Sequence, residues 1–303
     1  MSESIVDVVI IGAGPAGIQA GIHAARKKTR VVILGRIENS ALYGAHIENY
    51  ACIRGVTDGR DLLEAGRDQV RHFGAEVLPE DVLAIRQEDE LFELELESGT
   101  AMTCRTLIFA MGVSKKKLGV TGERELLGQG VSYCVDCDAN FYRGATVMVV
   151  GNRSAAVDGA LTLTGYADKV YLVAEKLSIA DELQQRLDSS TVEILTPNWV
   201  KEIHGNAQVT GVTLTDGSRI DLDGIFIELG SKGALELATQ VGVALDTERF
   251  KYIDTNRHQE TNIPGIYAAG DIVGPPYQMA KAVGEGCVAG MEAASYARKQ
   301  KRA

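Results

Sequence analysis

Val6-Asp7-Val8-Val9-Ile10-Ile11-Gly12-Ala13-Gly14-Pro15-Ala16-Gly17 reads as a strand running straight into a glycine-rich turn and a helix. An apolar run broken only by Asp7 suits a parallel strand covered on both faces. Gly12 permits the tight turn, Gly14 lets the backbone approach a pyrophosphate, and Gly17 lets the helix pack closely on the strand. The helix is expected over roughly 14–27 and the next strand at Val31-Val32-Ile33-Leu34, which completes a β-α-β unit.

The same order returns further along. Thr146-Val147-Met148-Val149-Val150-Gly151 leads into Asn152-Arg153-Ser154-Ala155-Ala156, and Lys169-Val170-Tyr171-Leu172-Val173 gives the following strand. A third apolar run, Ile266-Tyr267-Ala268-Ala269-Gly270-Asp271, precedes a helix expected over roughly 277–297 and resembles a strand end at a ligand crevice. Between them, the alternation at 91–97 and the Thr215-Asp216-Gly217-Ser218 turn signal predict β-hairpins. The fold class is therefore α/β, with two Rossmann-like nucleotide-binding domains. The second is inserted into a discontinuous first, with linkers at 114–117 and 245–251, so the first domain covers 1–115 and 246–303 and the insert 116–245.

Composition excludes several classes. A net charge of −10 argues against a nucleic-acid partner, because binding a phosphate backbone relies on basic patches. The run Lys115-Lys116-Lys117 reads as a solvated loop. No apolar stretch approaches the ~18 residues that span a bilayer, and Met1-Ser2-Glu3-Ser4 lacks the basic flank of a secretory signal, so no membrane partner and a cytoplasmic location are expected.

Of the cysteines at 52, 104, 134, 137 and 287, only Cys134-Val135-Asp136-Cys137 has useful spacing. Such a turn at a helix start lowers a thiol pKa and holds a second sulfur within reach. Zinc would require two more ligands, and neither a second such pair nor a paired spacing occurs among His23, His46, His72, His204 and His258. Redox exchange is the reading, beside a dinucleotide fold that supplies an electron carrier. Asp138 follows at once, as a general acid if burial raises its pKa or as a helix N-cap. Cys52, Cys104 and Cys287 are expected to be buried small hydrophobes.

Nearly end to end, the chain resembles the low-molecular-weight thioredoxin reductase family. The likeness lies in the Gly12–Gly17 fingerprint, Glu48-Asn49-Tyr50, Tyr133-Cys134-Val135-Asp136-Cys137-Asp138, and Thr261-Asn262-Ile263-Pro264-Gly265-Ile266-Tyr267-Ala268-Ala269-Gly270-Asp271. The resemblance implies FAD in the first domain. It places Gly12, Gly14, Pro15, Ala16 and Gly17 at the pyrophosphate, Gly35, Arg36, Asn49 and Gly112 around the nucleotide, and Gly270 and Asp271 on the ribitol side. Tyr277, Gln278, Met279 and Ala280 fall at the isoalloxazine. Arg36 stands where the ribose-binding acid is usual, and reads either as a phosphate contact or as a surface arginine. Ser40-Ala41-Leu42-Tyr43 replaces the family's Gly-Gly-Gln segment, and Tyr277 replaces a common arginine, either stacking on a ring system or packing in the core.

The second repeat departs further. Gly151 matches Gly12, but Arg153 stands at the Gly14 position and Ala156 at the Gly17 position. Where NADPH-dependent members carry a His-Arg-Arg cluster and a later arginine, this chain has Ala174-Glu175-Lys176 and Ala180. Glu175 would repel a 2′-phosphate, whereas it could accept hydrogen bonds from an unphosphorylated ribose. The expected route runs from a donor other than NADPH, preferably reduced ferredoxin, through FAD to Cys134 and Cys137, and on to a thioredoxin-like protein. NADH or NADPH at an atypical site, and a flavin-binding redox sensor, are the alternatives. By the same resemblance Cys137 is the sulfur at the flavin and Cys134 forms the mixed disulfide with Asp138 moving the proton, which requires rotation of the inserted domain. The family also implies a homodimer.

Overall fold

The computed structural model describes residues 5–112, 117–230, 233–247 and 251–302. The linker residues 114–116 and the Cys137 side chain fall outside the described part. Contacts divide the chain into two units, Met1–Leu96 with Thr100–Val113 and Gly233–Ala303, and Ser114–Lys232 with Glu97–Gly99.

In the first unit, β1 (Val6–Ile11) pairs in parallel with β2 (Val31–Leu34) on one side and with β8 (Ala101–Phe109) on the other. Two short strands, β3 (His46–Ile47) and β4 (Thr57–Asp58), pair with each other, and β5 (Glu76–Leu78) extends the sheet beyond β2. The first half of β8 carries the antiparallel strands β7 (Leu91–Leu96) and β6 (Val82–Glu88). Its second half pairs in parallel with β17 (Ile266–Ala268). Every β1 residue is buried, Asp7 included. Its carboxylate accepts the Arg30 N–H at 2.9 Å and meets Arg105 at 3.3 Å and Lys301 at 2.9 Å, which is how an acid survives in a buried strand.

Helix α1 (Pro15–Arg26) lies against α7 (Met279–Gln300) through small residues. A Cβ at Gly286 would overlap the Ala16 carbonyl oxygen, and one at Gly290 that of Ala20, so the two backbones approach as closely as glycine allows. Helix α2 (Gly59–His72) is capped by Asp58, which accepts the Arg60 N–H at 2.8 Å. Helix α6 (Ala234–Gln240) also belongs here, ahead of the return expected at 246. The reason is apolar: Ala234, Leu237 and Ala238 are buried in one cluster with Phe92, Leu94 and Ile253, and Gln240 accepts the Ile85 N–H at 2.9 Å.

The second unit repeats the parallel order. β10 (Thr146–Val150) is flanked by β11 (Lys169–Val173) and β16 (Gly224–Ile227), with β12 (Glu193–Leu195) and β9 (Val131–Ser132) at the edges. In the first unit β5-β2-β1-β8-β17 traces the same arrangement. The antiparallel strands β13 (Val200–Gly205), β14 (Val209–Leu214) and β15 (Arg219–Asp221) include the predicted hairpin. Among the described residues this unit also carries α3 (Val135–Asp138), a 3-10 turn at Ala139–Tyr142, α4 (Ser154–Leu163) and α5 (Asp181–Asp188).

Candidate active site

At the β1–α1 turn Gly12 has φ +117°, and its N–H donates to the Leu34 carbonyl at 2.8 Å. A Cβ there would meet the Ala110 oxygen at 2.5 Å, and one at Gly17 would overlap the Gly12 carbonyl. Gly14 is the N-cap of α1 and makes no side-chain cap, and Pro15 opens the helix without needing an N–H. The first turn therefore presents backbone dipoles at the end of β1, the arrangement that a pyrophosphate requires. These residues fit FAD.

The end of β2 continues the same surface. Gly35 has φ +132° and its N–H donates to Leu78 at 3.0 Å. Arg36 lies 2.8 Å from Asp81, whose side chain is 4% exposed against 28% for the arginine. That partner is invisible in the local sequence.

After β17, Gly270 adopts φ +89°, and a Cβ there would lie 3.0 Å from that of Ala16. Its N–H donates to Glu285 at 2.9 Å, while Lys281 donates to the Gly270 carbonyl and to Glu285, each at 2.9 Å. Burial holds the half-buried Asp271 carboxyl above the usual carboxylate range, with Lys281 opposing and Glu285 reinforcing the shift. Asn49 donates to the Gln278 side chain at 3.1 Å, and Gln278 precedes Met279 and Ala280 at the head of α7. Gly112 is exposed and has open space where a Cβ would stand. Tyr277 is 50% exposed; its hydroxyl is hydrogen-bonded to that of Tyr252, and the rings lie 6.5 Å apart at 48°.

The dithiol segment lies in the second unit, directly after β9. Cys134 is buried and disulfide-bonded, whereas Cys52, Cys104 and Cys287 are free thiols. The expectation that these three are all buried fails at Cys52, which is exposed on a turn with φ +72°, and Cys287 is only partly covered. Burial pushes the Cys104 thiol up, as for an inert core cysteine. Asp138 makes no side-chain cap; its carboxylate accepts the Ser132 hydroxyl at 2.6 Å. Ser132 in turn accepts the Cys134 N–H at 3.1 Å, and the Asp138 N–H donates to the Cys134 carbonyl at 3.3 Å. Sequence reasoning missed Ser132, although a serine two residues ahead of a turn cysteine is a recognisable local hydrogen-bonding signal.

Tyr133 donates to Glu123 at 2.6 Å. Burial alone would raise the Glu123 carboxyl, but hydrogen bonds from Tyr133 and from the Leu118 and Gly119 N–H groups hold it below the usual range. The Tyr133 phenol is pushed up by burial and by Glu123. Phe141, just after the dithiol helix, is 81% exposed.

In the second cradle Gly151 donates to Val173 at 3.1 Å, and Arg153 is the N-cap of α4, the place that Gly14 takes in the first. After β11, Ala174 is buried and Glu175 and Lys176 are exposed. Among the described residues, no cluster of metal-ligating side chains occurs, and no helix is long and apolar enough to cross a membrane.

The chain is similar to known proteins along nearly its whole length. Residues 6–286 match the pyridine nucleotide-disulphide oxidoreductase family. The chain is 35% identical to the thioredoxin reductase of Listeria innocua, over 99% of this chain and 97% of that protein. It covers only 66% of a bifunctional thioredoxin reductase/thioredoxin from Mycobacterium leprae, at 33% identity over 96% of this chain. It covers 57% of a longer Pseudomonas aeruginosa relative, an alkyl hydroperoxide reductase component, at 34% identity over 95% of this chain. Among solved structures, the atypical thioredoxin reductase TRi from Desulfovibrio vulgaris Hildenborough matches with a TM-score of 0.81 at 34% identity, over 97% of this chain and 98% of that one. A ferredoxin-flavin thioredoxin reductase from Clostridium acetobutylicum matches at 0.68 and 32%, with the same coverage.

Proposed function

Because the chain belongs to the pyridine nucleotide-disulphide oxidoreductase family, as an FAD flavoprotein of the thioredoxin reductase type, we propose that it carries electrons from a donor other than NADPH to the Cys134–Cys137 pair. From there they pass to the disulfide of a thioredoxin-like protein. Bound FAD supplies the two-electron carrier, held by the β1–α1 turn, the Gly35–Arg36 strand end and the Gly270–Asp271 segment. Asp138, oriented by Ser132, moves a proton at the sulfurs. Cys134 attacks the partner disulfide, and the exposed Phe141 supplies apolar surface for that partner.

The observation that carries the choice of donor is Arg153 at the head of α4. A long cationic side chain stands where a pyrophosphate must reach the backbone, and the exposed Glu175 repels a 2′-phosphate. Reduced ferredoxin is the donor we prefer, supported by the likeness to the Clostridium acetobutylicum ferredoxin-flavin enzyme. Glu175 favours one second reading, NADH, whose ribose hydroxyls a carboxylate accommodates. The working form in this proposal is a cytoplasmic homodimer. Turnover of an oxidised thioredoxin with ferredoxin, NADH and NADPH compared under anaerobic conditions tests the proposal. Ferredoxin should support reduction, and Cys134→Ser or Cys137→Ser should abolish it. Slow turnover with every donor would favour a redox sensor.

A further inference from the structure

Glu228 directly follows β16, whose sequence Gly224-Ile225-Phe226-Ile227 is fully buried. It is itself only 7% exposed. Its carboxylate Oε1 accepts the backbone N–H of Val135 at 3.3 Å, across 93 residues of sequence. Val135 is the first residue of α3 and the neighbour of Cys134. Helix α4 accommodates the pair with a glycine: a Cβ at Gly159 would lie 2.9 Å from Val135 Cγ2 and 3.9 Å from Glu228 Cγ. A buried acid has thus been brought to the first N–H of the dithiol helix, with space left for it.

An N–H group at a helix start is what normally stabilises a cysteine thiolate, together with any nearby cation. Here that N–H is bonded to a carboxylate. Among the described residues, the other titratable groups on the elements around α3 include Asp136 and Asp138 on α3 itself, Asp158 on α4, Tyr142 in the 3-10 turn that follows with Asp223 acting on it, and Tyr133 with Glu123 ahead of it. Arg153 at the head of α4 and Arg143 after Tyr142 are the cations in this set. Acids outnumber bases, and Glu228 is the acid bonded to the N–H next to Cys134.

We propose that Glu228 is a positioning residue for the redox pair, holding the start of α3 and disfavouring a thiolate at Cys134, so that the dithiol is a stronger reductant. Reduction of the disulfide breaks the S–S bond with two electrons. Uptake of one proton gives a thiol and a thiolate; uptake of two gives two thiols. By opposing the thiolate, Glu228 raises the free energy of the one-proton reduced form and lowers the potential at pH values above the Cys134 midpoint, where that form predominates, which suits electron flow outward to a partner disulfide. The inference rests on the disulfide-reductase reading only for that last consequence.

The test uses the full-length holoprotein and Glu228→Gln, each reduced with excess dithiothreitol that is then removed. Alkylation of Cys134 is followed against pH by peptide mass spectrometry, and the disulfide midpoint is measured in dithiothreitol redox buffers. In the wild type the alkylation midpoint should fall at or above ~8.5, the ordinary free-cysteine value. Glu228→Gln should lower it by about one pH unit, a roughly tenfold gain in thiolate at neutral pH. It should also raise the disulfide potential by about 30 mV at about pH 9.5, where the thiolate is the reduced form, and by only a few mV (~3 mV) at pH 7. Glu228→Asp, which keeps the charge, should stay near wild type. A folded Glu228→Gln protein with unchanged midpoint and potential overturns the proposal. Should that variant fail to fold, the wild-type titration decides, since a midpoint below about 7 contradicts a carboxylate that opposes the thiolate. Neither readout needs the electron donor or the thioredoxin partner, so failure of the proposed electron route and failure of this inference are distinguishable.

Discussion

The hydroxyl of Ser132 lies 2.6 Å from the carboxylate of Asp138 and faces the Cys134 N–H at 3.1 Å, so one small side chain orients both the acid and the backbone of the redox turn. A carboxylate that accepts a hydroxyl at this distance is fixed rather than free to rotate.

Ser132→Ala should therefore reduce thioredoxin-linked turnover by about tenfold, a fraction of what a positioned general acid contributes. Stability should fall by roughly 1–2 kcal/mol, the range for losing a hydrogen bond to a charged group. Ser132→Thr should recover most of the turnover. Steady-state rates at saturating donor, paired with urea unfolding, check both parts. Wild-type turnover in Ser132→Ala would remove Ser132 from the account.

The cradle makes a structural prediction. A Cβ at Gly17 overlaps the Gly12 carbonyl, and neither atom is the end of a flexible chain. Gly17→Ala should cost about 1–3 kcal/mol through overpacking. The purified protein should also carry little flavin, read from the ratio of visible to ultraviolet absorbance. Full flavin content in a stable Gly17→Ala protein would mean that the turn is not the pyrophosphate site.

Asp271 gives a pH dependence whose sign can be worked out. Burial places its folded-state carboxyl above the unfolded value, with Glu285 adding to the shift and Lys281 opposing it. The group thus favours folding fully only below its unfolded pKa of ~3.9, and that contribution is lost as pH rises through the folded value. Flavin-free Asp271→Asn should melt above flavin-free wild type at pH 7, and the difference should vanish towards pH 4 and below. Thermal melts across that range decide the matter, and a gap that widened on acidification would reverse the assignment.

Arg153 allows a gain-of-function test. Replacing it with glycine gives the second cradle the residue that the first has at position 14. In Arg153→Gly, NADH should reduce the flavin at least ~10-fold faster, because the backbone becomes open to a pyrophosphate. Reduction by ferredoxin should be unchanged. Stopped-flow traces that do not differ between the variant and the wild type would show that Arg153 is not the obstruction.

The sequence carries the parts of this molecule that depend on local pattern. A buried strand followed by glycines announces its turn and helix, and the repeat at Thr146–Gly151 does so again, because strand and helix periods are properties of neighbouring residues. What it does not carry is the destination of side chains. Leu237 reads as an ordinary apolar helix residue, and contacts with distant residues such as Phe92 and Leu94 place α6 in the first unit. Arg36 finds Asp81, and Tyr277 finds Tyr252, across gaps that no periodicity encodes. Glu228 shows in the sequence only as an acid after an apolar strand, and its meaning comes from Val135 on another element.

The most direct test is anaerobic flavin bleaching of the purified holoprotein, with NADPH, NADH and enzymatically reduced ferredoxin added separately, and oxidised thioredoxin added afterwards. The account predicts that ferredoxin alone bleaches the flavin and that thioredoxin restores its colour. Rapid bleaching by NADPH would contradict it, making Arg153 and Glu175 parts of a working nicotinamide site.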